Sequence, residues 1–494
     1  MRDVLRKANH GIIRRMRFAC FGLFAALSLF ASGEEAPATA RSAAALNNIL
    51  TVTKQAGVPF AFEATVIKAG VYPHPDTIVS DATGSVWFYD RDTYMPQNVS
   101  GRPHPQPGDI IRIEGKTHVS RSNELVARAT SVVIVGHKTP PPPVAVTARQ
   151  ILSGECDLQL VTVEGVIRDV FSDEIDLGWT VVILQCENDT LYASFVAHEP
   201  SGLDRLIGVR VSVTGVPQPD SGGIRRLPNG IVRLSGSEAI SPVEPVPDDL
   251  FAVPDIDRPS ARQKSPSFTI ERRKACGRVI AVWDGRNALI RTPSGNVTRI
   301  QLSDEPPPSC GTIIEATGLL ETDLFHRNLT NAKWRHSNAA PPPEPAPLPA
   351  SRDRLYTTRH SLPCINPTLH GQPLKFRGTV TDRSLGQDGQ FNVKGTDISI
   401  VVNVQSLPNA LREIEVGSEV EVCGTCVMDI PNWYPNAPFP HISGFFLVPR
   451  TPDDIRLLAR PPWWTPARLM IVIGSLLAVL IGILIWNRAL KALA

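Results

Sequence analysis

Apolar and polar residues alternate in four short segments of the chain, and two glycines seven positions apart bracket each segment. The segments are Gly108–Gly115, Gly208–Gly215, Gly311–Gly318 and Gly417–Gly424. Such alternation predicts a β-strand with one buried face. The first glycine of each pair suits a turn that needs permissive backbone angles, and the second suits a bulge or a sharp bend within the strand.

A second pattern precedes each glycine pair and predicts the first strand of the same repeat. Its copies are Phe62–Val66, Val163–Ile167, Ala275–Val279 and Phe376–Val380, and the last three contain Gly165, Gly277 and Gly378. A hairpin pattern such as Thr77–Phe88 lies between the two patterns, and a closing strand such as Leu125–Val135 follows. Five strands in about 100 residues, with a bent first strand, predict a Greek-key barrel of the OB type. The alternative is a seven-stranded immunoglobulin-like sandwich, which requires more strands and a buried Trp between two cysteines.

The repeats therefore predict an all-β protein built from four tandem OB-like small barrels. Proline-rich joints lie between them, at 140–143, 242–254 and 341–349, and such segments favour extended spacers. The predicted modules are module 1 (45–138), module 2 (144–241), module 3 (262–338) and module 4 (351–457).

The two ends of the chain predict export and a single membrane anchor. A basic stretch followed by apolar and then small residues makes 1–40 a predicted signal peptide. Residues 467–487 predict a transmembrane helix, because this segment is apolar and long enough to span a bilayer core. The predicted location is the inner, cytoplasmic membrane, crossed once, with the bulk of the chain periplasmic and a short cytoplasmic tail at 488–494. Residues of the predicted membrane interface are Trp463, Trp464, Trp486, Arg488 and Lys491.

Composition narrows the function classes. The 494 residues include 50 Lys and Arg against 48 Asp and Glu, a net charge of +2. A nucleic-acid protein needs a concentrated basic face to neutralise phosphates, so this balance predicts no nucleic-acid partner. The 45 prolines argue against long helical bundles.

Catalytic motifs are not found in the sequence. It contains no phosphate-binding glycine loop, no zinc-binding His-Glu-x-x-His and no nucleophile elbow, so no catalytic residue, cofactor or metal site is predicted. Cys156 with Cys186, and Cys276 with Cys310, are possible disulfides within modules 2 and 3, because export permits disulfides. The alternative is that these cysteines are small buried apolar residues.

One loop offers a candidate ligand site. The segment between the last two predicted strands of module 4 carries Trp433, Tyr434 and Phe439 among several prolines. OB barrels bind ligands with this loop and with the loop after the first strand, and exposed aromatic side chains suit a sugar or a peptide. The alternative is that these side chains cap their own barrel or rest on the membrane surface.

Two segments resemble a known family. Ser153–Gly165, which reads SGECDLQLVTVEG, and Arg460–Pro466, which reads RPPWWTP, are similar to the extracytoplasmic, OB-like repeats of bacterial two-component sensor histidine kinases. In that family a dimerisation helix, a phospho-accepting histidine and an ATP-binding domain follow the transmembrane helix. This sequence stops at Ala494 before any of these, so the resemblance implies a sensor region that is not itself an enzyme.

The same resemblance implies a function and a set of partners. The expected function is to bind a ligand or partner outside the cytoplasm and to signal through one transmembrane helix. The expected partners are a kinase or response regulator, a second copy of the chain in a homodimer, and an unknown small-molecule, sugar or peptide ligand. The alternative is a cell-surface adhesion or scaffold protein without a signalling role.

Overall fold

The structure is a computed structural model of the full chain. It describes residues 38–70, 76–90, 104–120, 123–174, 178–197, 202–218, 231–257, 270–303, 305–322, 327–359, 362–383, 389–407, 409–410, 414–429, 444–461 and 466–493. The predicted signal peptide and the pair Trp463 and Trp464 lie outside these residues, except that 38–40 are described.

Module 1 is a closed five-stranded barrel. Its strands are β1 (Pro59–Lys68), β2 (Asp76–Asp81), β3 (Gly84–Asp90), β4 (Asp109–Val119) and β5 (Leu125–His137). They follow the order β1-β2-β3-β5-β4, and β4 pairs back onto β1 to close the barrel. Strands β3 and β5 pair in parallel, whereas the other pairs are antiparallel. This is the closed Greek-key arrangement predicted for an OB-type barrel, not the two-layer immunoglobulin sandwich.

The glycines of module 1 explain how its strands turn and close. Gly108 has a φ of 96°, a left-handed conformation that L side chains rarely adopt, and it begins the turn into β4. Gly115 lies where β4 bends, at a register shift against β5. A Cβ atom on Gly115 would lie 2.2 Å from the carbonyl oxygen of Arg128, so only glycine allows β5 to approach here. The equivalent turn positions are Gly208, Gly311 and Gly417, and the equivalent close approaches are Gly165, Gly215, Gly277, Gly318, Gly378 and Gly424.

The core of module 1 also contains side chains that the strands do not supply, among them Ala43, Leu46 and Leu50. A short helix, Ala43–Asn48, precedes β1, and its buried Leu46 joins the cluster formed by Phe60, Phe88 and their neighbours. The side chain of Ser42 accepts a hydrogen bond from the amide of Ala45 and thereby caps the helix. Helix and strands therefore share one apolar core.

Module 2 repeats the barrel and adds a strand at each side. Its barrel strands are β7 (Val161–Ser172), β8 (Trp179–Cys186), β9 (Asp189–Val196), β10 (Arg210–Gln218) and β11 (Ile231–Arg233), with β6 (Val144–Ala145) and β12 (Ile240–Pro242) at the edges. The pairing of β10 with β7 closes it, and β9 and β11 are parallel. The helix Ala148–Leu152 begins with a capping box formed by Thr147 and Gln150.

Modules 3 and 4 have the same strand order. Module 3 consists of β13 (Arg272–Trp283), β14 (Asn287–Arg291), β15 (Val297–Leu302), β16 (Ile313–Thr322) and β17 (Arg327–His336). The barrel of module 4 consists of β21 (Pro373–Arg383), β22 (Gln390–Lys394), β23 (Ser399–Asn403), β24 (Glu419–Asp429) and β25 (Gly444–Val448). Strands β18 (Leu348–Pro349) and β26 (Ile455–Ala459) extend the sheet of module 4, and β19 (Tyr356–Arg359) pairs with β20 (Leu362–Ile365) in a separate hairpin. The predicted all-β fold of four OB-like barrels is confirmed.

Residue contacts divide the chain into two compact units. Unit 1 comprises Met1–Gly165, Val170–Ser201 and Val211–Ser241, and unit 2 comprises Val166–Asp169, Gly202–Arg210 and Pro242–Ala494. Unit 1 therefore holds module 1 and most of module 2. Unit 2 holds modules 3 and 4 together with two short segments of module 2.

The C-terminal helix, Pro466–Leu493, is long and apolar. Within it Leu469–Ala489 has a mean hydropathy of 2.8, and none of this stretch is buried against the rest of the protein. At about 1.5 Å per residue, 21 residues span roughly 30 Å, which matches a bilayer core. Trp486 is exposed on this helix, which continues past Arg488 and Lys491 where a separate tail was predicted. The length and composition are therefore those of a membrane span.

Candidate functional site

The aromatic loop predicted as a ligand site cannot be placed. Trp433, Tyr434 and Phe439 fall within 430–443, outside the described residues. What the structure does give is the frame of this loop, because β24 ends at Asp429 and β25 begins at Gly444, and the two strands pair up to these residues.

The predicted disulfides are not formed. Cys156, Cys186, Cys276 and Cys310 are all thiols. The Cys186 side chain packs over the backbone of β7, where a Cβ atom on Gly165 would lie 2.7 Å from its Sγ, and the Sγ of Cys276 contacts the Ser337 hydroxyl at 3.3 Å. Burial raises the pKa of the Cys186 thiol to about 12 and that of Cys310 to about 11. Cys156 and Cys186 are buried and serve as small apolar residues, which was the alternative interpretation, whereas Cys276 and Cys310 are only partly buried.

A cleft in unit 1, between modules 1 and 2, brings chemically distinctive side chains together. Its volume is about 230 Å³. Its walls carry two cationic side chains, one carboxylate, several hydroxyls and several apolar groups. The side chains on the walls include those of Ile67, Lys68, Leu160, Thr214, Val216, Arg233, Ser235, Glu238 and Ser241. We call this the intermodule cleft. The sequence analysis did not identify it.

An apolar cluster supports one side of the intermodule cleft. Ile67 and Ile78 of module 1 pack with Leu158 and Val216 of module 2, and all four are buried. Leu158 has a φ of 59°, a left-handed conformation that costs a non-glycine residue about 1 kcal/mol or more. Its amide donates to the carbonyl oxygen of Pro217 at 2.8 Å. Leu158 belongs to the segment Ser153–Gly165, so that segment forms part of the contact between modules 1 and 2.

Lys68 is the most unusual residue of the intermodule cleft. It is the last residue of β1, directly after a register shift against β2, and it is only 6% exposed. Its Nζ donates to the carbonyl oxygen of Asp76 at 3.1 Å and, weakly, to that of Ala69 at 3.5 Å. Burial lowers the pKa of the Lys68 ammonium from its usual 10.5 to about 8, while the Asp76 carboxylate raises it and the Arg233 guanidinium lowers it.

Arg233 is held in place by several interactions of different kinds. Its Nη1 donates to the Ser194 hydroxyl at 2.7 Å, and its Nε donates to Oε1 of Gln218 at 3.1 Å. Its guanidinium carbon also lies 4.4 Å from the centre of the Trp179 ring, a cation–π contact. The positive charge of Arg233 therefore has a defined position beside the cleft.

A second cleft lies in unit 2 beside module 3 and is chemically less distinctive. Its volume is about 450 Å³. The carboxylate of Asp257 in its wall accepts hydrogen bonds from the Ser294 hydroxyl at 2.8 Å and from the Asn296 amide at 3.1 Å. Arg327 donates to the carbonyl oxygen of Ile256. The polar groups of this cleft therefore already bind one another or the backbone.

Modules 3 and 4 share a buried apolar contact within unit 2. Ile280, Ala281, Trp283 and Leu289 of module 3 pack with Val427 and Val448 of module 4. Two hydrogen bonds cross the same contact: the Thr425 hydroxyl donates to the carbonyl oxygen of Ile280 at 2.7 Å, and Arg291 donates to that of Gly371 at 2.6 Å. Hydrogen bonds of this kind between buried groups fix the register of a contact. We call it the module 3–4 junction.

No metal centre is formed by the residues that the structure describes: among them, no group of three or more His, Cys, Asp or Glu side chains is placed to hold a metal ion.

Comparison with known proteins adds to the description of the fold. No family model matches the chain, and no curated protein matches it. An aspartyl-tRNA synthetase from Leishmania major Friedlin is similar over 26% of this chain and 27% of its own length, at 10% identity and a TM-score of 0.16; the chain thus spans about a quarter of that protein. A murine DNA-binding protein bound to double-stranded DNA is similar over 38% of this chain and 99% of its own, at 13% identity and a TM-score of 0.21. A replication protein A heterotrimer bound to single-stranded DNA is similar over 85% and 97%, at 10% identity and a TM-score of 0.20. At such identities the likeness concerns the fold alone.

The prediction that nucleic acid is excluded as a partner is wrong. Proteins bound to double-stranded and to single-stranded DNA are among those with similar structures. The prediction relied on the net charge of +2 for the whole chain. A balanced total does not report the charge of an individual face, and it is a local face that contacts a ligand.

Proposed function

We propose that this protein is the membrane-anchored, extracytoplasmic receptor region of a two-component signalling system. In this proposal its barrels bind a ligand in the periplasm, and its C-terminal helix crosses the inner membrane once. The observation that carries the proposal is the apolar, unburied stretch Leu469–Ala489 that follows the last barrel strand. The likeness of Ser153–Gly165 and Arg460–Pro466 to sensor kinases supports the signalling role.

The proposed mechanism uses the connection between the last barrel and the helix. Strand β26 pairs with β24 of module 4 from Ile455 to Ala459, and the helix begins at Pro466, so six residues separate them. The module 3–4 junction makes modules 3 and 4 move together, because its apolar contacts and crossing hydrogen bonds resist sliding. A ligand that binds one arrangement of the modules more tightly would increase the population of that arrangement. The helix would transmit this change as a small displacement.

Membrane insertion is tested with paired substitutions in the helix. Leu477→Lys combined with Leu480→Lys places two charges in the middle of the span, each costing about 3 kcal/mol, and we expect it to release the full chain from carbonate-washed membranes. Leu477→Ile combined with Leu480→Ile is the matched control and stays membrane-bound. A wild-type chain that carbonate extracts would contradict the proposal.

Signalling is tested by placing the cytoplasmic kinase core of a well-characterised sensor after Ala494. A series of one to seven alanine insertions at the fusion point rotates the core relative to the helix by about 100° per residue. We expect reporter output to rise and fall with a period near 3.6 insertions, since a helix that transmits displacement is sensitive to its phase. Output that stays constant through the series would contradict the signalling role.

A further inference from the structure

We propose that the intermodule cleft binds a small organic anion, which Lys68 and Arg233 hold by their positive charges. This inference rests on the receptor role proposed above, because it names the ligand class that such a receptor would recognise. The probes are galacturonate, a sugar acid, and inorganic phosphate. Both are anions, and phosphate is the smaller.

The ammonium of Lys68 has hydrogen-bonding capacity that its own protein leaves unused. An ammonium has three donors, and the two contacts of Lys68 are to carbonyl oxygens, one of them long. Within the described part of the chain no carboxylate oxygen lies within 4 Å of its Nζ. A buried lysine without an ion pair is unfavourable. An anion in the cleft would remove that penalty by supplying both charge and acceptor.

Arg233 provides a second positive charge on the wall of the cleft. Its bonds to Ser194 and Gln218 and its stacking on Trp179 hold the guanidinium in place. A side chain that is already ordered loses little conformational entropy on binding. Lys68 and Arg233 therefore bring two cations to the cleft, and the guanidinium of Arg233 is already ordered.

The remainder of the cleft sets the size and polarity of the ligand. The volume of about 230 Å³ is below the roughly 300–1,000 Å³ of pockets that hold drug-sized ligands, so the cleft suits a small molecule such as a single sugar ring. The walls combine hydroxyls of Thr214, Ser235 and Ser241 with the apolar side chains of Leu160 and Val216. Such walls suit a molecule with both hydroxyl groups and a ring face.

Glu238 makes the recognition selective rather than purely electrostatic. It is exposed and belongs to the cleft wall, where it supplies an acceptor for ligand hydroxyl groups and repels a second negative charge. Because Glu238 and the nearby Asp76 carboxylate already offset part of the positive charge of Lys68 and Arg233, the cleft favours a ligand of one negative charge over a dianion. Galacturonate is therefore the stronger of the two probes.

Binding of an anion is coupled to the protonation of Lys68. Since burial brings the pKa of this lysine to about 8, part of the population is neutral at pH 8, and an anion selects the charged form. The charged groups around it are Asp76, Arg233 and Glu238. Affinity for galacturonate should fall as pH rises from 7 to 9.

The test is isothermal titration of the full chain in detergent micelles with galacturonate, with phosphate, and with galactose as the uncharged counterpart. We expect saturable binding of galacturonate and weaker binding of phosphate, with none of galactose. Lys68→Met should weaken galacturonate binding at least tenfold, and Lys116→Met, which removes an exposed lysine of the same barrel, should leave it unchanged. The absence of saturable anion binding, or equal affinity in wild type and Lys68→Met, would overturn the inference.

Two further measurements keep the result interpretable. If Lys68→Met fails to fold, Arg233→Gln and the pH dependence of wild-type binding take its place, and affinity that is constant from pH 7 to 9 would overturn the inference. The receptor proposal is judged separately by carbonate extraction. A chain that inserts into membranes but binds no anion contradicts this inference alone, whereas one that binds anions but does not insert contradicts the receptor proposal.

Discussion

Trp283 and Phe446 meet edge to face, with their ring centroids 6.1 Å apart and their planes at 69°. Trp283 ends the first strand of module 3, and Phe446 lies in the last barrel strand of module 4. Aromatic pairs in this geometry contribute about 0.5–1.5 kcal/mol beyond the area that they bury. The two rings thus join barrels that are separate in sequence, and the module 3–4 junction is a structural element in its own right.

The junction can be tested with Trp283→Ala. Trp283 is buried in the junction, and truncation of a buried Trp costs about 3–5 kcal/mol. We expect a large fall in the melting temperature of unit 2, measured by calorimetry on the full chain in micelles. Phe171→Ala is the matched control, because Phe171 is an exposed aromatic on β7. Equal shifts for the two variants would count against a cooperative junction.

Substitution of Gly115 tests the closure of the first barrel. Gly115→Ala places a methyl group 2.2 Å from the Arg128 carbonyl oxygen and 2.4 Å from Cζ of Phe60, so β4 or β5 must move. We expect a loss of about 3 kcal/mol or more, seen as a lower urea midpoint. Gly136→Ala in β5 of the same barrel brings the new methyl no closer than 3.6 Å to Ile110, and its effect should stay within about 1 kcal/mol.

The buried charge of Lys68 predicts a pH-dependent stability. Its pKa is about 8 in the folded protein and near 10.5 when exposed, so the unfolded chain binds more protons between these values. Stability from this group therefore rises with pH from about 8 to 10.5, by roughly 3 kcal/mol in total. We expect wild type to gain stability relative to Lys68→Met when the pH is raised from 7 to 10. A difference that does not change with pH, as expected for Lys116→Met, would show that Lys68 is not buried as a charge.

The thiols can be checked by alkylation. We expect Cys156, Cys186, Cys276 and Cys310 all to be alkylated by iodoacetamide after denaturation without reductant, because none forms a disulfide. Before denaturation Cys186 should react slowly, since burial raises its pKa to about 12 and only the thiolate is nucleophilic. Peptide mapping by mass spectrometry distinguishes the states. A Cys156–Cys186 crosslinked peptide would contradict the structure.

The sequence predicted the barrels well because their determinants are local. The turn at Gly108, where φ is 96°, and the bend at Gly115 have equivalents in every module. Both positions leave no room for a side chain or require a left-handed backbone, so the sequence marks them with glycine. The alternation between these glycines reports which face of the strand is buried. Both signals depend on neighbouring residues, so one chain was enough to find them.

The intermodule cleft could not be predicted in the same way. Lys68 follows an apolar run and resembles a polar strand end. The cleft that it lines is completed by residues of module 2, which is far away in sequence. Leu158, which has a left-handed conformation, likewise packs against Ile67 and Ile78 of the other module. Contacts between modules leave no periodic pattern, and neither does the junction at Trp283. The one available signal was the Ser153–Gly165 segment, whose role in the cleft was not foreseen.

The most direct test of the account is the location of its modules relative to the membrane. A membrane-impermeant maleimide should label the Lys116→Cys and Asp453→Cys variants of the full chain in intact spheroplasts, above the signal of the native cysteines, since both positions are exposed on the barrels. The Arg488→Cys variant, beyond the apolar stretch, should be labelled only after permeabilisation. Protection of Lys116→Cys and Asp453→Cys in intact spheroplasts would contradict the claim that this is an extracytoplasmic receptor held by one helix.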